Sequence, residues 1–335
     1  MPQDVVKFCY QAAFGAEHLL SDLSVAKRYF DAEFNATEPR EGQPFECLSD
    51  EACRVDLGAW KSTGMPAEWL FNMFVASASV KKDAAAAFDG YLHQAEAAFD
   101  ESIGFGLDEW RAFLENYLAQ GVGAVHHSDI YRKSEKPAYR IVDRKFLPTI
   151  VLLEKLKCVT KESGAKIVAI DGRAASGKTT LAALLKTILG ASVIRMDDFF
   201  LPPPLRTPER LSEMGGNVHY ERFCEEVIPL VNKNDAFSYG VFDCGRMDLN
   251  GECLVEASEW RIVEGSYSHH PNFGDYADVK VFCTVSPEEQ MKRILLRNGE
   301  KMAERFKKEW IPMEEKYFEA FHVCQRADVI LKLKY

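Results

Sequence analysis

Hydrophobic positions follow two different patterns along the chain. Before residue 150, apolar residues recur every three to four positions over Val5–Leu19 and Leu23–Phe34, which predicts amphipathic helices. Two alanine- and leucine-rich stretches with Asp or Glu near their starts, Asp83–Ser102 and Leu107–Leu118, predict further helices. Thr37–Asp50 contains two prolines and a glycine and is predicted to be a loop. The first part of the chain is therefore expected to be mostly α-helical.

From Lys166 onwards, short β-branched runs alternate with helical segments. The predicted strands are Lys166–Asp171, Ser192–Met196, Arg261–Glu264, Val279–Val285 and Ala327–Leu333, and the predicted helices are Lys178–Leu189, Tyr220–Val231, Pro287–Arg297 and Trp310–His322. Continuously apolar strands that alternate with helices indicate an α/β fold with a doubly wound parallel sheet covered on both faces. A boundary within Lys155–Gly164 divides the chain into a helical domain, 1–155, and an α/β domain, 156–335.

Composition and charge exclude several classes of function. The 335 residues are 47% hydrophobic and carry a net charge of −10, which leaves neither half with the basic excess that nucleic acid requires. Nine cysteines without a C-x-x-C pair indicate reduced thiols. Cys47 and Cys53 are the closest pair and lie in a stretch that looks helical. No secretion signal or membrane span is read, so a cytoplasmic protein with neither nucleic-acid nor membrane partners is expected.

A phosphate-binding loop follows the first predicted strand of the α/β part. Its sequence matches G-x-x-x-x-G-K-[ST] at every fixed position: Gly172, Arg173, Ala174, Ala175, Ser176, Gly177, Lys178 and Thr179, followed by Thr180. The glycines allow backbone N–H groups to surround a phosphate, Lys178 adds a positive charge, and the Thr179 hydroxyl can bind Mg²⁺. With a strand before it and a helix after it, this motif predicts binding of a nucleoside triphosphate and Mg²⁺.

Carboxylates stand at the ends of the neighbouring predicted strands. Asp197 and Asp198 end the second strand, at the edge where ligands of α/β sheets bind. One of them, Asp197 in our interpretation, can accept the proton of an attacking hydroxyl, while Asp198 can steer Mg²⁺ through water. Glu264 ends the third strand. A carboxylate at this place resembles the acidic group that holds the water shell of the metal in phosphate-loop enzymes. Asp171 either faces this site or caps the turn.

A basic helix is predicted further along the chain. Arg293 and Arg297 are four residues apart and share one helical face. Such a helix can close over the γ-phosphate and stabilise its charge. On spacing alone, an ordinary solvated basic face is the better explanation.

Together, these motifs resemble the uridine kinase and phosphoribulokinase group of P-loop small-molecule kinases. The resemblance covers roughly 165–335 and rests on D-G-x-x-x-S-G-K-T-T, M-D-D-F-F and V-E-G, on the segment Trp310–Phe318 and on Arg326–Ile330. It implies ATP and Mg²⁺ as ligands, Asp197 as general base, and lid positions for Arg293 and Arg297. It also implies that Trp310–Phe318 forms a closing lid helix.

The chain departs from this group where the phosphoryl acceptor should bind. His219 stands where the group has an aspartate for the ribose hydroxyls, and Phe200 lacks the usual hydroxyl. Phe200, Asn217, His219, Tyr220 and Arg246 are the candidate acceptor-binding residues, together with Asp197. A site loses affinity when its polar groups are removed, so an acceptor other than a standard nucleoside is expected.

The leading hypothesis is an ATP-dependent kinase that phosphorylates a hydroxyl of a small molecule. Alternatives are a uridine or cytidine kinase proper, a nucleotide-switched regulator with the helical half as effector-binding element, and a silent kinase-like binding protein. The helical domain either selects the substrate or serves as scaffold or dimer surface, so homo-oligomerisation stays open. The preference for ATP over GTP and the choice between Asp197 and Asp198 also stay open.

Overall fold

The computed structural model describes residues 1–15, 20, 22–78, 83–100 and 104–333. The chain forms two compact units, Met1–Leu147 and Pro148–Tyr335. A helix at Ile150–Leu156, close to the boundary expected from the sequence, belongs to the second unit. The domain limits 1–155 and 156–335 stay a prediction.

The described part of the first unit consists of helices and a small antiparallel sheet. The helices are α1 (Pro2–Phe14), α2 (Leu23–Ala36), α3 (Leu57–Thr63), α4 (Ala67–Ala76), α5 (Ala84–Ala97), α6 (Leu107–Ala119) and α7 (Asp129–Glu135), and the strands are β1 (Phe45–Cys47), β2 (Ala52–Asp56) and β3 (Tyr139–Asp143). Val6, Phe88 and Trp110 form a core between α1, α5 and α6. The mostly helical character is as predicted. Of the predicted helix Asp83–Ser102, Glu101 and Ser102 lie outside the described residues.

The three-stranded sheet was not predicted from the sequence. β1 lies inside the expected loop Thr37–Asp50, and β2 pairs with both β1 and β3. Cys47 and Cys53 lie opposite each other on β1 and β2, with their sulfurs 3.5 Å apart, so the expectation of a helical stretch here is wrong. Strands of three and five residues are too short to show a clear hydrophobic period.

A buried polar network connects α1, α7 and β3. Asp4 Oδ1 accepts the Ser128 N–H at 2.8 Å and lies 2.9 Å from His127 Nδ1, while His127 Nε2 lies 2.6 Å from the Tyr139 hydroxyl. Both histidine nitrogens therefore have partners within the fold. No group of three His, Cys, Asp or Glu side chains suited to a metal ion occurs among the described residues.

The second unit is built on a five-stranded parallel sheet. In chain order its elements are α8 (Ile150–Leu156), β4 (Lys166–Gly172), α9 (Lys178–Leu189), β5 (Ser192–Arg195), α10 (Pro208–Ser212), α11 (Tyr220–Glu226), β6 (Phe237–Asp243), β7 (Asp248–Val255), β8 (Trp260–Glu264), β9 (Val279–Cys283), α12 (Pro287–Arg305), α13 (Ile311–Ala320) and β10 (Val329–Leu331). The sheet order is β10-β9-β4-β8-β5, and every neighbouring pair is parallel. The predicted α/β fold with a doubly wound parallel sheet is confirmed.

The central strand shows why the sequence specifies a sheet covered on both sides. Ile167, Val168, Ala169 and Ile170 in β4 are all 0% exposed, because helices cover both faces and no position can be polar at low cost. β4, β8 and β5 lie side by side and run in the same direction. Their carboxyl ends therefore bring the phosphate loop, Glu264 and Asp197 to one edge of the sheet.

Two details of this unit differ from the sequence-based expectation. β6 and β7 form an antiparallel hairpin that was not predicted, and Arg246 lies in its turn. α12 continues to Arg305 and bends at Gly299, where φ is 76° and ψ is 172°; a π-helical turn at Phe306–Trp310 then leads into α13. No described helix is both long and apolar enough to cross a bilayer.

Candidate active site

Two glycines shape the turn between β4 and α9. Gly172 has a φ of 134°, and a Cβ at this position would lie 2.0 Å from the carbonyl oxygen of Cys283. Gly177, with a φ of 100°, is the N-cap of α9. Only glycine adopts such angles without steric cost and allows so close an approach of another strand. The resulting turn and the amino end of α9 form the arrangement of N–H groups that suits a phosphate.

Two polar side chains of the loop, Lys178 and Ser176, face the protein interior or the loop backbone. Lys178 Nζ donates to the carbonyl oxygens of Gly172 at 2.7 Å and Arg173 at 3.0 Å, and lies 3.3 Å from Ser266 Oγ. Ser176 is 0% exposed, and its hydroxyl has no hydrogen-bond partner among the described residues. Since buried polar groups are normally paired, this unpaired hydroxyl fits a loop that surrounds a polar ligand.

A cavity of about 390 Å³ lies over the phosphate loop. Residues expected from the sequence that line it are Ala174, Ala175, Ser176, Gly177, Lys178, Thr179, Thr180, Asp197, Phe200, Asn217, Glu264, Arg293 and Arg297. Residues that sequence reasoning missed are Met196, Val218, Gly265, Ser266, Tyr267, Phe306, Trp310 and Glu314. The structure therefore brings the phosphate loop, two strand-end carboxylates and both predicted lid arginines to one place.

Asp197 is presented by a short 3-10 turn, Met196–Phe199, that follows β5. Phe199 is 0% exposed and anchors this turn in the core. The guanidinium of Arg222 stacks on the Phe199 ring at 4.6 Å and donates to the backbone oxygen of Asp198 at 3.3 Å. These contacts hold the turn in place and leave the Asp197 side chain in the cavity wall.

The neighbouring Asp198 has different surroundings. Its carboxylate accepts a hydrogen bond from the Tyr239 hydroxyl at 2.9 Å, and it lines a second hollow, with Tyr239 and Arg195, rather than the main cavity. Burial raises the pKa of Asp198. The geometry favours Asp197 over Asp198 as the carboxylate that faces a bound molecule, and the metal-steering role of Asp198 stays a prediction.

Glu264 and Thr179 form the part of the site that suits a divalent cation. The Thr179 hydroxyl lies 3.3 Å from Glu264 Oε2, and Glu264 is 5% exposed. Burial raises the pKa of Glu264, and the nearby charge of Asp197 adds to this effect. Hydroxyl and carboxylate oxygens are the donors that Mg²⁺ prefers beside phosphate, so this pair fits the expected ion.

Helix α13 is attached to the phosphate loop rather than lying free above it. The buried carboxylate of Glu314 accepts the Ala174 N–H at 2.9 Å and the Ser266 hydroxyl at 2.7 Å. Arg173 makes two hydrogen bonds to the next residue, Glu315, at 2.6 and 2.9 Å. Burial raises the pKa of Glu314, although Lys178 opposes the shift. A signal for Glu314 existed in the sequence, because it lies within the Trp310–Phe318 segment of the family resemblance.

Asp171, at the end of β4, caps turns instead of lining the cavity. It is 0% exposed and accepts the N–H groups of Gly172, Tyr267 and His269 at 2.7, 3.1 and 3.0 Å. The hydroxyl of Tyr317, on α13, donates to the same carboxylate at 2.9 Å. Asp171 thus joins the phosphate loop, the loop after β8 and α13 into one hydrogen-bonded unit.

The two arginines of α12 differ in how firmly they are held. Arg293 pairs with Glu289 at 2.8 Å and donates to the backbone oxygens of Ala175 at 3.3 Å and Leu333 at 3.1 Å. Arg297 donates to Asn298 at 2.8 Å. Both line the cavity. Arg293 therefore already borders the phosphate loop, while Arg297 lies one turn further along the same face.

Three of the predicted acceptor-binding residues lie outside the cavity lining. His219 caps α11 and lies 3.1 Å from Glu221. The Tyr220 hydroxyl bonds to Glu213 at 3.0 Å, and Arg246 donates to Asn250 at 3.5 Å in the hairpin turn. Each has a partner of its own within the fold, and their role in acceptor binding stays a prediction.

The comparisons with known proteins found similar solved structures. No family model and no curated protein matches the chain. The second unit has a five-stranded parallel sheet with flanking helices. Among solved structures, a "possible uridine kinase" from Bacillus stearothermophilus is 21% identical, with a TM-score of 0.41, and the likeness covers 56% of this chain and 95% of that one.

Two further solved structures resemble the same share of the chain. A candidate fructose transport system kinase from Silicibacter sp. TM1040 is 22% identical, with a TM-score of 0.44 and coverage of 56% and 97%. The D-glycerate 3-kinase from Cryptococcus neoformans is 13% identical, with a TM-score of 0.35 and coverage of 56% and 88%. The three structures are 13–22% identical to this chain, with TM-scores of 0.35–0.44.

Proposed function

We propose that this chain is an ATP-dependent kinase that transfers the γ-phosphoryl group to a hydroxyl of a small molecule. The observation that carries the proposal is the single cavity in which Lys178, Asp197, Glu264 and Arg293 meet. A phosphate loop alone would suit any nucleotide-binding protein. The additional carboxylate facing the cavity, Asp197, is what a transfer to an alcohol requires.

Each group has a distinct task in this proposal. The loop N–H groups and Lys178 bind the β- and γ-phosphates. Asp197 takes the proton of the attacking hydroxyl as its oxygen bonds to the γ-phosphorus, and the bond from that phosphorus to the β–γ bridging oxygen breaks to release ADP. Arg293 and Arg297 stabilise the negative charge on the transferring group. Thr179 and Glu264 would hold Mg²⁺, which when bound neutralises charge on the phosphate oxygens.

The proposal extends to the partner of the site and to the role of the first unit. The partner is a small-molecule alcohol rather than nucleic acid, since the net charge is −10. The first unit selects the substrate or mediates homo-oligomerisation. Uridine or cytidine is the alternative acceptor, although His219 and Tyr220 are bound to neighbouring side chains outside the cavity.

The test is acceptor-dependent release of ADP from ATP·Mg²⁺ over a panel of nucleosides, sugars, polyols and hydroxy acids. Lys178→Ala is expected to abolish turnover, and Asp197→Asn to lower kcat by about 100-fold or more, the usual contribution of a general base. Lys186→Ala, on the exposed face of α9, is the control for charge removal. Asp198→Asn is the control for the neighbouring carboxylate, and a smaller loss is expected there.

Two outcomes would contradict the proposal. If Asp198→Asn lowers kcat as much as Asp197→Asn does, the choice of base is wrong. If ATP binds and no acceptor accelerates ADP release, the kinase is excluded for that panel and a nucleotide-switched regulator becomes the better account.

A further inference from the structure

The acceptor side of the cavity is defined by its distance from Asp197. A general base must reach the hydroxyl that it deprotonates, so the acceptor lies beside the 3-10 turn that carries Asp197. Phe200, at the end of this turn, pairs through its backbone with Val218. Asn217 and Tyr267 complete the wall on this side. These residues, here called the acceptor wall, are two apolar and two neutral polar side chains.

The charges in the cavity are unevenly distributed. The positively charged residues that line its described part are Lys178, Arg293 and Arg297, which belong to the phosphate loop or to α12. Its negatively charged residues are Asp197, Glu264 and Glu314. None of the positive charges belongs to the acceptor wall. Lys178 belongs to the phosphate loop, and Arg293 donates to the backbone oxygen of Ala175 in that loop.

The arginines in the segments beside the acceptor wall are held elsewhere. Arg210 forms an ion pair with Glu221 at 2.6 Å, and Arg222 forms one with Glu226 at 2.7 Å. Arg206 donates to the backbone oxygen of Leu201 at 2.6 Å. An acceptor with a carboxylate or phosphate would therefore lie near Asp197 without a matching cation in the acceptor wall, and an unpaired charge in a partly buried site is costly.

The polar groups of the acceptor wall are suited to hydroxyls. The side chains of Asn217 and Tyr267 both line the cavity. The Asn217 side-chain oxygen is buried and has no hydrogen-bond partner among the described residues. Tyr267 is 4% exposed and has a φ of 74°, a conformation that costs a non-glycine residue free energy and is common at ligand sites. Asp171 fixes it there through the Tyr267 N–H.

We propose that the phosphoryl acceptor is an uncharged, hydroxyl-bearing molecule, recognised by the Asn217–Tyr267 pair and by apolar contact with Phe200 and Val218. The class includes sugars, polyols and other neutral alcohols, and excludes hydroxy acids and phosphorylated sugars. This inference rests on the proposed kinase activity of the same site. Asn217 and Tyr267 are the specificity-determining residues.

The experiment compares acceptors in matched pairs that differ mainly in charge. Suitable pairs are glycerol and glycerate, ribose and ribose 5-phosphate, uridine and uridine 5′-monophosphate, and panthenol and pantothenate, each tested with ATP·Mg²⁺. In the productive pair, the kcat/KM of the neutral acceptor is expected to be at least about 100-fold higher than that of the charged acceptor. The reason is that a site discriminates strongly when a buried polar group is left without a partner. Preference for the charged member would overturn the inference and leave the kinase intact. No turnover with any acceptor would contradict both.

Two variants test the named pair with the best neutral acceptor. Tyr267→Phe and Asn217→Leu are each expected to raise the acceptor KM by about 10-fold or more and to change the ATP KM by less than about twofold, since a lost hydrogen bond in a site weakens binding by this order. Tyr276→Phe is the matched control, because its hydroxyl bonds to Ser268 O outside the cavity. Equal increases in the KM values for acceptor and ATP, or an unchanged acceptor KM, would show that Asn217 and Tyr267 do not bind the acceptor.

Discussion

Buried carboxylates dominate the chemistry of this protein at the scale of single residues. Asp171, Glu264 and Glu314 are 0%, 5% and 6% exposed, and each contacts the phosphate loop or the helix that follows it. Asp171 accepts four hydrogen bonds, whereas Glu314 accepts two. Glu314 is removed from water and accepts fewer hydrogen bonds than Asp171 does. Its negative charge should therefore lower the free energy of unfolding at neutral pH.

Glu314→Gln tests this cost. Because burial raises the pKa of Glu314 above its ordinary value of 4.5, the native state binds the proton more tightly than the unfolded chain. Stability therefore falls as pH rises from about 4.5 towards the native pKa. Gln keeps an acceptor for the Ala174 N–H without the charge, so we expect the variant to be more stable at pH 7 by about 1 kcal/mol. Denaturant unfolding at pH 4, 5.5 and 7 measures the difference.

The same series distinguishes a charge effect from a packing effect. The advantage of Glu314→Gln should vanish at pH 4, where Glu314 is protonated in both states. Glu315→Gln is the control, since Glu315 is half-exposed and its pairing with Arg173 stabilises the fold. An advantage that is equal at all three pH values would show that the charge of Glu314 is not the cause.

At the scale of elements, α12 and α13 have different attachments. α13 is bound to the loop through Glu314 and Glu315 and to Asp171, just before the loop, through Tyr317. Its expected role as a closing lid stays a prediction. α12 bends at Gly299, and a Cβ there would have nothing within 4 Å. The backbone angle, and not crowding, is what requires glycine at the bend.

Gly299→Ala should therefore change the bend without disturbing the core. The substitution makes the φ of 76° unfavourable by about 1–3 kcal/mol, which favours a straighter α12 and moves Arg297 relative to the phosphate loop. We expect the ATP KM to rise by about 5-fold or more, with little change in the melting temperature. Steady-state kinetics and thermal unfolding measure the two quantities.

A matched glycine is available as control for this prediction. Gly251, in the hairpin β6–β7, has a φ of 88° and also has nothing within 4 Å of a built Cβ. Gly251→Ala introduces comparable strain away from the cavity. If both variants raise the ATP KM equally, the bend at Gly299 has no special part in nucleotide binding.

The elements also show which strands and site residues the sequence alone could predict. All five strands of the parallel sheet were predicted, and in the three inner strands, β4, β8 and β9, burial on both faces leaves nearly continuous apolar runs. The hairpin β6–β7 was not, since most of β7 is exposed and carries no such run. Asp197 and Glu264 were found because they end predicted strands. Tyr267 was missed because its place in the wall depends on Asp171, which is 96 residues away.

For the whole molecule, the division into two units separates the nucleotide site from the helical half. Every residue that lines the cavity, from Ala174 to Glu314, belongs to Pro148–Tyr335. A ligand stabilises the unit that binds it, by about 2.7 kcal/mol at 100 times Kd.

Hydrogen exchange with and without saturating ATP·Mg²⁺ tests this separation. Slower exchange is expected in peptides that cover 172–180, 264–267 and 306–317, and no change is expected in peptides from α1, α5 and α6. Lys178→Ala is the control and should abolish the protection. Protection that appears within Met1–Leu147 would show that the helical half responds to the nucleotide.

The bond between Tyr317 and Asp171 has a consequence for how the protein is made. Its two ends are 146 residues apart in the chain, and at 5–20 residues per second a ribosome needs roughly 7–30 s to synthesise that interval. During this time the phosphate loop has already been synthesised, whereas α13, which carries Tyr317, has not. A nascent chain therefore forms this hydrogen bond late in the synthesis of the second unit, after most of the parallel sheet has been made.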